Sequence, residues 1–252
     1  MERTILSEEK NVYRIGDKVE RATQPWSASI HRLLKHFKSK NLPVEHVIRT
    51  DNKIQISEFI GGEIIHPHKW TDDALFKVGE LVSQLHNAAK DFEINSDDVW
   101  QPWCLSEIGG TDRIHCHGDI APWNMITKNG YPICLVDWEF AGLYDPIVEL
   151  ARVCWLFVQL HDDDLQKIYD LPTPEKRAEQ VRIIADAYGL QPKDRLRLID
   201  QIVEVVICET AHEAIDSGLT FDSYGNLWGL AWRTRSLYWI WRHKEILKKA
   251  LN

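Results

Sequence analysis

The apolar positions of this chain change period more than once. In the first sixty residues they form short runs. Val12-Tyr13-Arg14-Ile15 and Lys18-Val19-Glu20-Arg21-Ala22 flank Gly16-Asp17, which predicts a β-hairpin. Helical spacing takes over from Ser27 to Lys40, with Ile30, Leu33, Leu34 and Phe37 on one face, Ser27 as N-cap and Asn41-Leu42-Pro43 as the stop. Val47-Ile48 and Ile54-Gln55-Ile56-Ser57, either side of Asp51-Asn52, predict two more strands. Residues 1–62 therefore read as a small sheet with one helix, and the chain divides near Gly61-Gly62.

Beyond that point the 3.6-residue period dominates. Asp72 to Asn87 carries Leu75, Val78, Leu81, Val82 and Leu85 on one face, with Thr71 as its cap. Ile147 to Leu160 is apolar nearly all round, the pattern of a buried helix. Pro174 opens a helix that Gly189 closes. Leu196 to Ser217 is the next, and Leu227 to Leu251 the last, with a basic end suited to the helix dipole. Phe92 to Arg113 has no clear period. One hairpin interrupts the helices: Met125-Ile126-Thr127 and Tyr131 to Val136, joined by Asn129-Gly130.

That hairpin sits inside the most informative stretch of the sequence. Asp119 precedes Asn124 by five positions, and Asp137 follows the second strand. The hairpin brings Asn124, at one end, next to Asp137, at the other. Magnesium takes hard oxygen ligands, usually one or two protein carboxylates with phosphates and water completing the octahedron. Asn124 and Asp137 offer such oxygens, and Asp119 remains free to accept a proton from a hydroxyl nucleophile. Those are the local tasks of phosphoryl transfer. A single Asp or Asn in a turn is ordinarily a cap; the three together, at this spacing, point to chemistry.

His117-Gly118-Asp119-Ile120-Ala121-Pro122-Trp123-Asn124, followed by Leu135-Val136-Asp137-Trp138-Glu139, resembles the catalytic core of the aminoglycoside phosphotransferase-like family. These are small-molecule kinases with a protein-kinase-like fold, choline kinases among them. The resemblance implies an α+β fold in two lobes: a shortened N-terminal sheet lobe (1–62) on the nucleotide side and a mainly helical C-terminal lobe (63–252) with the catalytic loop and acceptor site. It implies Asp119 as catalytic base and Asn124 and Asp137 as metal ligands, with ATP and Mg2+ as cofactors. Gly142-Leu143-Tyr144-Asp145-Pro146 and Glu149-Leu150-Ala151 match the family's bracing segments, so Asp145 takes a structural role.

The N-terminal lobe departs from the family pattern. The Gly16-Asp17 turn is too short to cover phosphates. Arg21 is the candidate phosphate-facing cation, or else a surface arginine on an edge strand. The helix over 27–40 contains no Glu to pair it. Ser57 to Gly62 resembles the hinge between lobes, which makes the backbone of Ser57 and Phe59 the candidate adenine contacts. On the helix over 196–217, Glu209, Glu213 and Asp216 share a face that is either solvated or able to bind an ammonium group. Trp228, Trp232 and Trp239 form an aromatic stripe, a core or a cation-binding cage.

The function expected is ATP-dependent transfer of phosphate to a hydroxyl of a small molecule. A pseudokinase-like module that binds without transfer is the alternative, motivated by the missing Glu. The net charge of −8 excludes nucleic acid as a main partner and slightly favours a cationic acceptor. No apolar run reaches the about eighteen residues of a membrane span, and the N-terminus lacks a signal-peptide core, so a cytoplasmic location is expected. The five cysteines include no Cys-x-x-Cys pair, which reads as reduced thiols rather than a zinc site. His115 and His117 flank Cys116, and His117 reads as a group that orients the catalytic loop.

Overall fold

The computed structural model describes residues 3–8, 10–219 and 227–252. Five antiparallel strands build the first unit: β1 (Arg3–Ser7), β2 (Val12–Ile15), β3 (Lys18–Ala22), then helix α1 (Ser27–Ser39), β4 (Val47–Thr50) and β5 (Ile54–Glu58), in the spatial order β1-β2-β3-β5-β4. The hairpins at Gly16-Asp17 and Asp51-Asn52 are those the sequence predicts. Asp51 Oδ1 stabilises the second by accepting from the amides of Lys53 and Ile54, each at 2.9 Å.

Strand β1 has no counterpart in the sequence reading, and it changes the reading of the sheet. The turn that overhangs the interlobe cleft is the β1–β2 connection, not Gly16-Asp17. Strand β3 lies between β2 and β5, so Arg21 sits on an inner strand, opposite Gln55, and the edge-strand alternative falls.

Helix α1 buries Ile30, Leu33, Leu34 and Phe37, each contributing about 2 kcal/mol of apolar burial. The Phe37 ring lies 5.3 Å from that of Trp138. One continuous hydrophobic core takes in α1, Val44 and Val47 together with the helices that follow, so the core does not break at Gly61-Gly62. Two further links cross that boundary: the Leu135 amide donates to Pro43 O at 2.9 Å, and the Glu45 amide donates to Leu135 O at 3.2 Å.

The second part contains α2 (Asp72–Ala89), β6 (Ile114–Cys116), the hairpin β7 (Met125–Lys128) and β8 (Tyr131–Leu135), β9 (Gly142–Tyr144), and α3 (Pro146–Phe157) to α8. The last five helices are α4 (Asp163–Ile168), α5 (Pro174–Tyr188), α6 (Pro192–Asp216), α7 (Trp228–Arg242) and α8 (Lys244–Leu251). Thr71 caps α2 through Ala74 N, and Gly189 closes α5 at φ 79°. The single C-terminal helix expected from periodicity is two helices that break at His243, whose Nδ1 bonds Trp239 O at 2.8 Å. Among the described residues no helix is long and apolar enough to cross a membrane.

Four hydrogen bonds around the start of α3 brace the surroundings of the segment from 117 to 124, and one of them reaches Gly118 directly. Asp145 caps α3 through Ile147 N at 2.8 Å and also accepts from Gly110 N at 2.7 Å. Buried Glu149, one turn into α3, accepts from Gly118 N at 2.5 Å and from His86 of α2 at 2.8 Å. Burial alone would raise the Glu149 carboxyl; the bonds from His86 and Gly118 outweigh it and hold it below the usual range. His86, Cys116 and Glu149 offer donor atoms within 4.8 Å of one another. Both ring nitrogens of His86 are already spent, on Glu149 and on Tyr188 Oη at 2.9 Å, so the trio is a brace.

Candidate active site

Gly118 adopts φ 82°, and a Cβ there would collide with the Phe140 carbonyl oxygen, which explains why only glycine fits. His117 Nδ1 accepts from Asp119 N at 3.1 Å, so Nε2 carries the ring proton and donates to Val136 O at 3.0 Å. This histidine thereby joins the loop to the end of β8. Val136 N in turn donates to Asn124 O at 3.0 Å. Asn124 is thus held one residue away from Asp137, as the hairpin register requires.

Asn124 Nδ2 donates to Asp119 Oδ2 at 2.8 Å and to Asp119 O at 3.0 Å. That leaves Asn124 Oδ1 without a donor among the described residues. Asp119 Oδ1 lies 2.6 Å from Arg152 Nη2. Asp137 takes φ 65°, unusual for a non-glycine residue. Its Oδ2 lies 3.0 Å from Lys10 Nζ and its Oδ1 3.4 Å from Arg21 Nη1. Lys10, in the β1–β2 turn, also pairs with Glu139. Burial would raise the Asp137 carboxyl, but Lys10 and Arg21 together hold it below its ordinary value. For Lys10 the burial effect is outweighed by Asp137 and Glu139, and its pKa rises.

Arg21 Nη2 lies 3.5 Å from Glu45 Oε2. Glu45 is buried and is the first cause of the raised Arg21 pKa. The carboxylate absent from α1 is therefore present, carried by the loop that follows the helix. Arg21 Nε is buried and finds no partner among the described residues.

These groups line one wall of a cavity of about 410 Å³ between sheet and hairpin, bordered by Lys10, Val19, Arg21, Phe59, Asn124 and Asp137. Ser57 and Phe59 both line it. Ser57 is an interior sheet residue, opposite Val19 and Val47. The Phe59 amide is taken by Asp17 O at 2.8 Å and the Glu58 amide by His46 O at 2.9 Å. The Phe59 N–H is thus unavailable to an adenine edge, and the first backbone amides without a partner among the described residues are those of Ile60 and Gly61.

The three acidic residues read from α6 separate. Glu209 is buried between Arg152 of α3 and Arg233 of α7, the latter at 3.7 Å. Glu213 lies 3.3 Å from Arg233 and lines a second cavity of about 490 Å³. Asp216 is exposed, bonded to His212 at 2.9 Å. Trp228 and Trp232 also line the second cavity, whereas Trp239 is buried in the core. Trp123 borders both cavities.

Four residues absent from the sequence reading belong to this arrangement: Lys10, Glu45, Arg152 and Arg233. Arg152 left a signal, a lone cation in a helix apolar all round, which must be paired if buried. The others act through tertiary contacts that no local pattern announces.

The donor set suits a divalent ion and a triphosphate. An amide oxygen and a carboxylate face one cavity, two cations presently neutralise that carboxylate, and a buried guanidinium N–H awaits an acceptor.

A profile described as "Phosphotransferase enzyme family" matches residues 95–199. A curated relative, the trifolitoxin immunity protein of Rhizobium leguminosarum bv. trifolii, is 34% identical over 246 residues, covering 95% of this chain and 94% of the relative. Among solved structures, the amicoumacin kinase hAmiN in complex with AMP-PNP, Ca2+ and Ami superposes with TM-score 0.71 at 12% identity, over 98% of this chain and 88% of that one. A choline/ethanolamine kinase family protein from Mesorhizobium loti gives TM-score 0.57 at 17% identity, over 99% and 90%. At these identities the structural likeness shows the fold: two lobes, an antiparallel sheet and a helical part.

Proposed function

The chain belongs to the phosphotransferase enzyme family, and we propose that it transfers the γ-phosphoryl group of ATP to a hydroxyl of a small molecule. The observation that carries this reading is the bond of 2.8 Å between Asp119 and Asn124, with Asn124 lining the cavity under the sheet beside Asp137.

In this reading Asn124 Oδ1 and a carboxylate oxygen of Asp137 would hold Mg2+. When bound, the ion neutralises charge on the phosphate oxygens. Lys10 and Arg21, which now share Asp137, turn toward the phosphates; Arg21 keeps Glu45 as its anchor. Asp119 would accept the hydrogen bond of the acceptor hydroxyl and then its proton as the oxygen attacks the γ-phosphorus in line, while the bond from phosphorus to the β–γ bridging oxygen breaks and ADP leaves with that oxygen. Arg152 and Asn124 fix the orientation of the Asp119 carboxylate, so positioning and electrostatics supply most of the rate. The backbone of Ile60 and Gly61 is the better candidate for the adenine edge than Phe59 N–H, with Ser57 and the Phe59 ring lining the cavity beside it.

A module that binds without transfer loses its main motivation, because Glu45 supplies the carboxylate missing from α1. The name of the Rhizobium relative points to protection from a toxin. Phosphorylating a hydroxyl of an antimicrobial compound is a chemistry by which this site would provide it.

Purified protein with magnesium-ATP, screened against hydroxylated metabolites and antimicrobials for ADP release, tests the reading. Metal-dependent release stimulated by at least one compound is expected. Failure to bind nucleotide, or release unaltered by every acceptor and by Asp119→Asn, would refute it.

A further inference from the structure

The second cavity carries information about what the acceptor is. It opens beside the catalytic loop, because Trp123, one residue before Asn124, forms a wall of both cavities. Its other walls come from the His66-Pro67 segment, Gln159 and His161 in the segment after α3, α4, and the facing sides of α6 and α7. With a volume of about 490 Å³ it has room for a drug-sized molecule.

Half of its lining residues carry aromatic rings: Trp123, Tyr169, Trp228 and Trp232, with the imidazoles of His66 and His161. Trp228 and Trp232 stack nearly parallel, 5° apart in plane with centroids at 6.0 Å, and Trp232 stacks in turn on buried Trp155 at 5.3 Å. Trp228 is 69% exposed. Trp123 is braced edge-on by His66 at 5.3 Å. Rigid indole faces favour flat, unsaturated partners through stacking.

Among the described residues its charges are already balanced. Glu213 and Arg233 neutralise one another at 3.3 Å. Buried Glu209 is closed off between Arg152 and Arg233. On α4 and at its N-cap, Asp162 and Asp164 pair with Arg235, and Asp163 with Arg242. Burial, with Arg177 nearby, pushes His161 down to about 3, and burial pushes His66 down as well, so neither imidazole adds charge near neutrality. Among the described residues, a molecule bearing several ammonium groups would find no set of free carboxylates here, and it would have to bring its charges beside Arg233 in a poorly solvated wall. Arg233 Nε is buried, faces Glu209 Oε2 at 3.7 Å and makes no hydrogen bond among the described residues, so this guanidinium retains hydrogen-bonding capacity for an acceptor oxygen of a ligand.

We propose that this cavity takes a largely uncharged acceptor with a flat, unsaturated body and an oxygen directed at Arg233, and that polycationic aminoglycosides are not its substrates. The inference rests on the phosphotransferase reading of the neighbouring site and adds the chemical class of the acceptor to it. It also replaces the cationic acceptor expected from net charge and from the acidic face of α6.

Calorimetric titration of the full chain with two probes tests this: indole-3-ethanol, flat, neutral and hydroxylated, and kanamycin, a polycation. Indole-3-ethanol is expected to bind the wild-type chain at least tenfold more tightly than kanamycin. Trp232→Ala and Trp228→Ala should each weaken it severalfold or more. Trp228 is exposed, so its replacement leaves the fold intact and decides the matter if Trp232→Ala does not fold. Tighter binding of kanamycin, no binding of the indole alcohol, or binding indifferent to Trp228→Ala would overturn the proposal. Indole-alcohol binding without ADP release from any acceptor would instead sink the transfer reading and leave the cavity's chemistry standing.

Discussion

Arg152 Nη2 lies 2.6 Å from Asp119 Oδ1, and the same guanidinium is bonded to Glu209 and to Ile120 O. A buried arginine from the middle of α3 thus holds the carboxylate proposed as catalytic base. Its own pKa reflects this: burial would lower it, and Glu209 and Asp119 outweigh that and raise it.

Removing that arginine leaves Glu209 enclosed and unpaired on one side and frees Asp119 to rotate. Arg152→Met is expected to destabilise the protein by about 3 kcal/mol or more, measured by urea unfolding. In the fraction that remains folded, kcat should fall more than KM for ATP rises. A loss below about 1 kcal/mol would show that the pair contributes little.

Lys10 touches the site from a turn and leaves 39% of its side chain exposed. Lys10→Ala should therefore change stability by less than about 1 kcal/mol while weakening MgATP by about tenfold, the loss of one charge-assisted contact. Unchanged nucleotide affinity would place this lysine outside the phosphate site.

His161 is buried, bonded to Ser236 Oγ at 3.2 Å, and pushed down to about 3 by burial and by Arg177. Its folded pKa lies below the unfolded value of about 6.5. The unfolded chain therefore binds the extra proton first. The stabilisation is complete above about pH 6.5 and is lost as pH falls toward 3, at up to about 1.4 kcal/mol per pH unit. His161→Gln is expected to narrow the difference in Tm between pH 7 and pH 4.5. An equal difference in both proteins would contradict it.

At Gly118 the backbone is left-handed and the Phe140 carbonyl occupies the space of a side chain. Gly118→Ala must move the loop that carries Asp119, so activity should fall by about a hundredfold or more, with a loss of at least about 1 kcal/mol of stability. Near-normal turnover would mean that the loop tolerates displacement.

What could be read from the sequence divides by range. The β7–β8 hairpin, with Asn129 and Gly130 both at positive φ, was legible because turn chemistry is local. So were α1 and α2, whose buried faces repeat along a single element. Strand β1 was not: Ile5 and Leu6 are about half exposed, so no buried alternation marks it. The break at His243 carries no Gly or Pro signal. Glu45 performs from a loop the task expected of a helical Glu, and only the folded chain brings it to Arg21. For the acidic face of α6, periodicity gave the shared side correctly, but the partners on that side are arginines of α3 and α7, and these decide that Glu209 is enclosed while Asp216 is exposed.

The most direct test is turnover against nucleotide affinity in Asp119→Asn, an isosteric change that keeps the bond to Asn124 possible and removes the proton acceptor. ADP release with magnesium-ATP should drop at least about a hundredfold, with MgATP affinity within about twofold of wild type, since Asn124, Asp137, Lys10 and Arg21 are untouched. Undiminished turnover in that variant would contradict the assignment of Asp119 and, with it, the mechanism built around it.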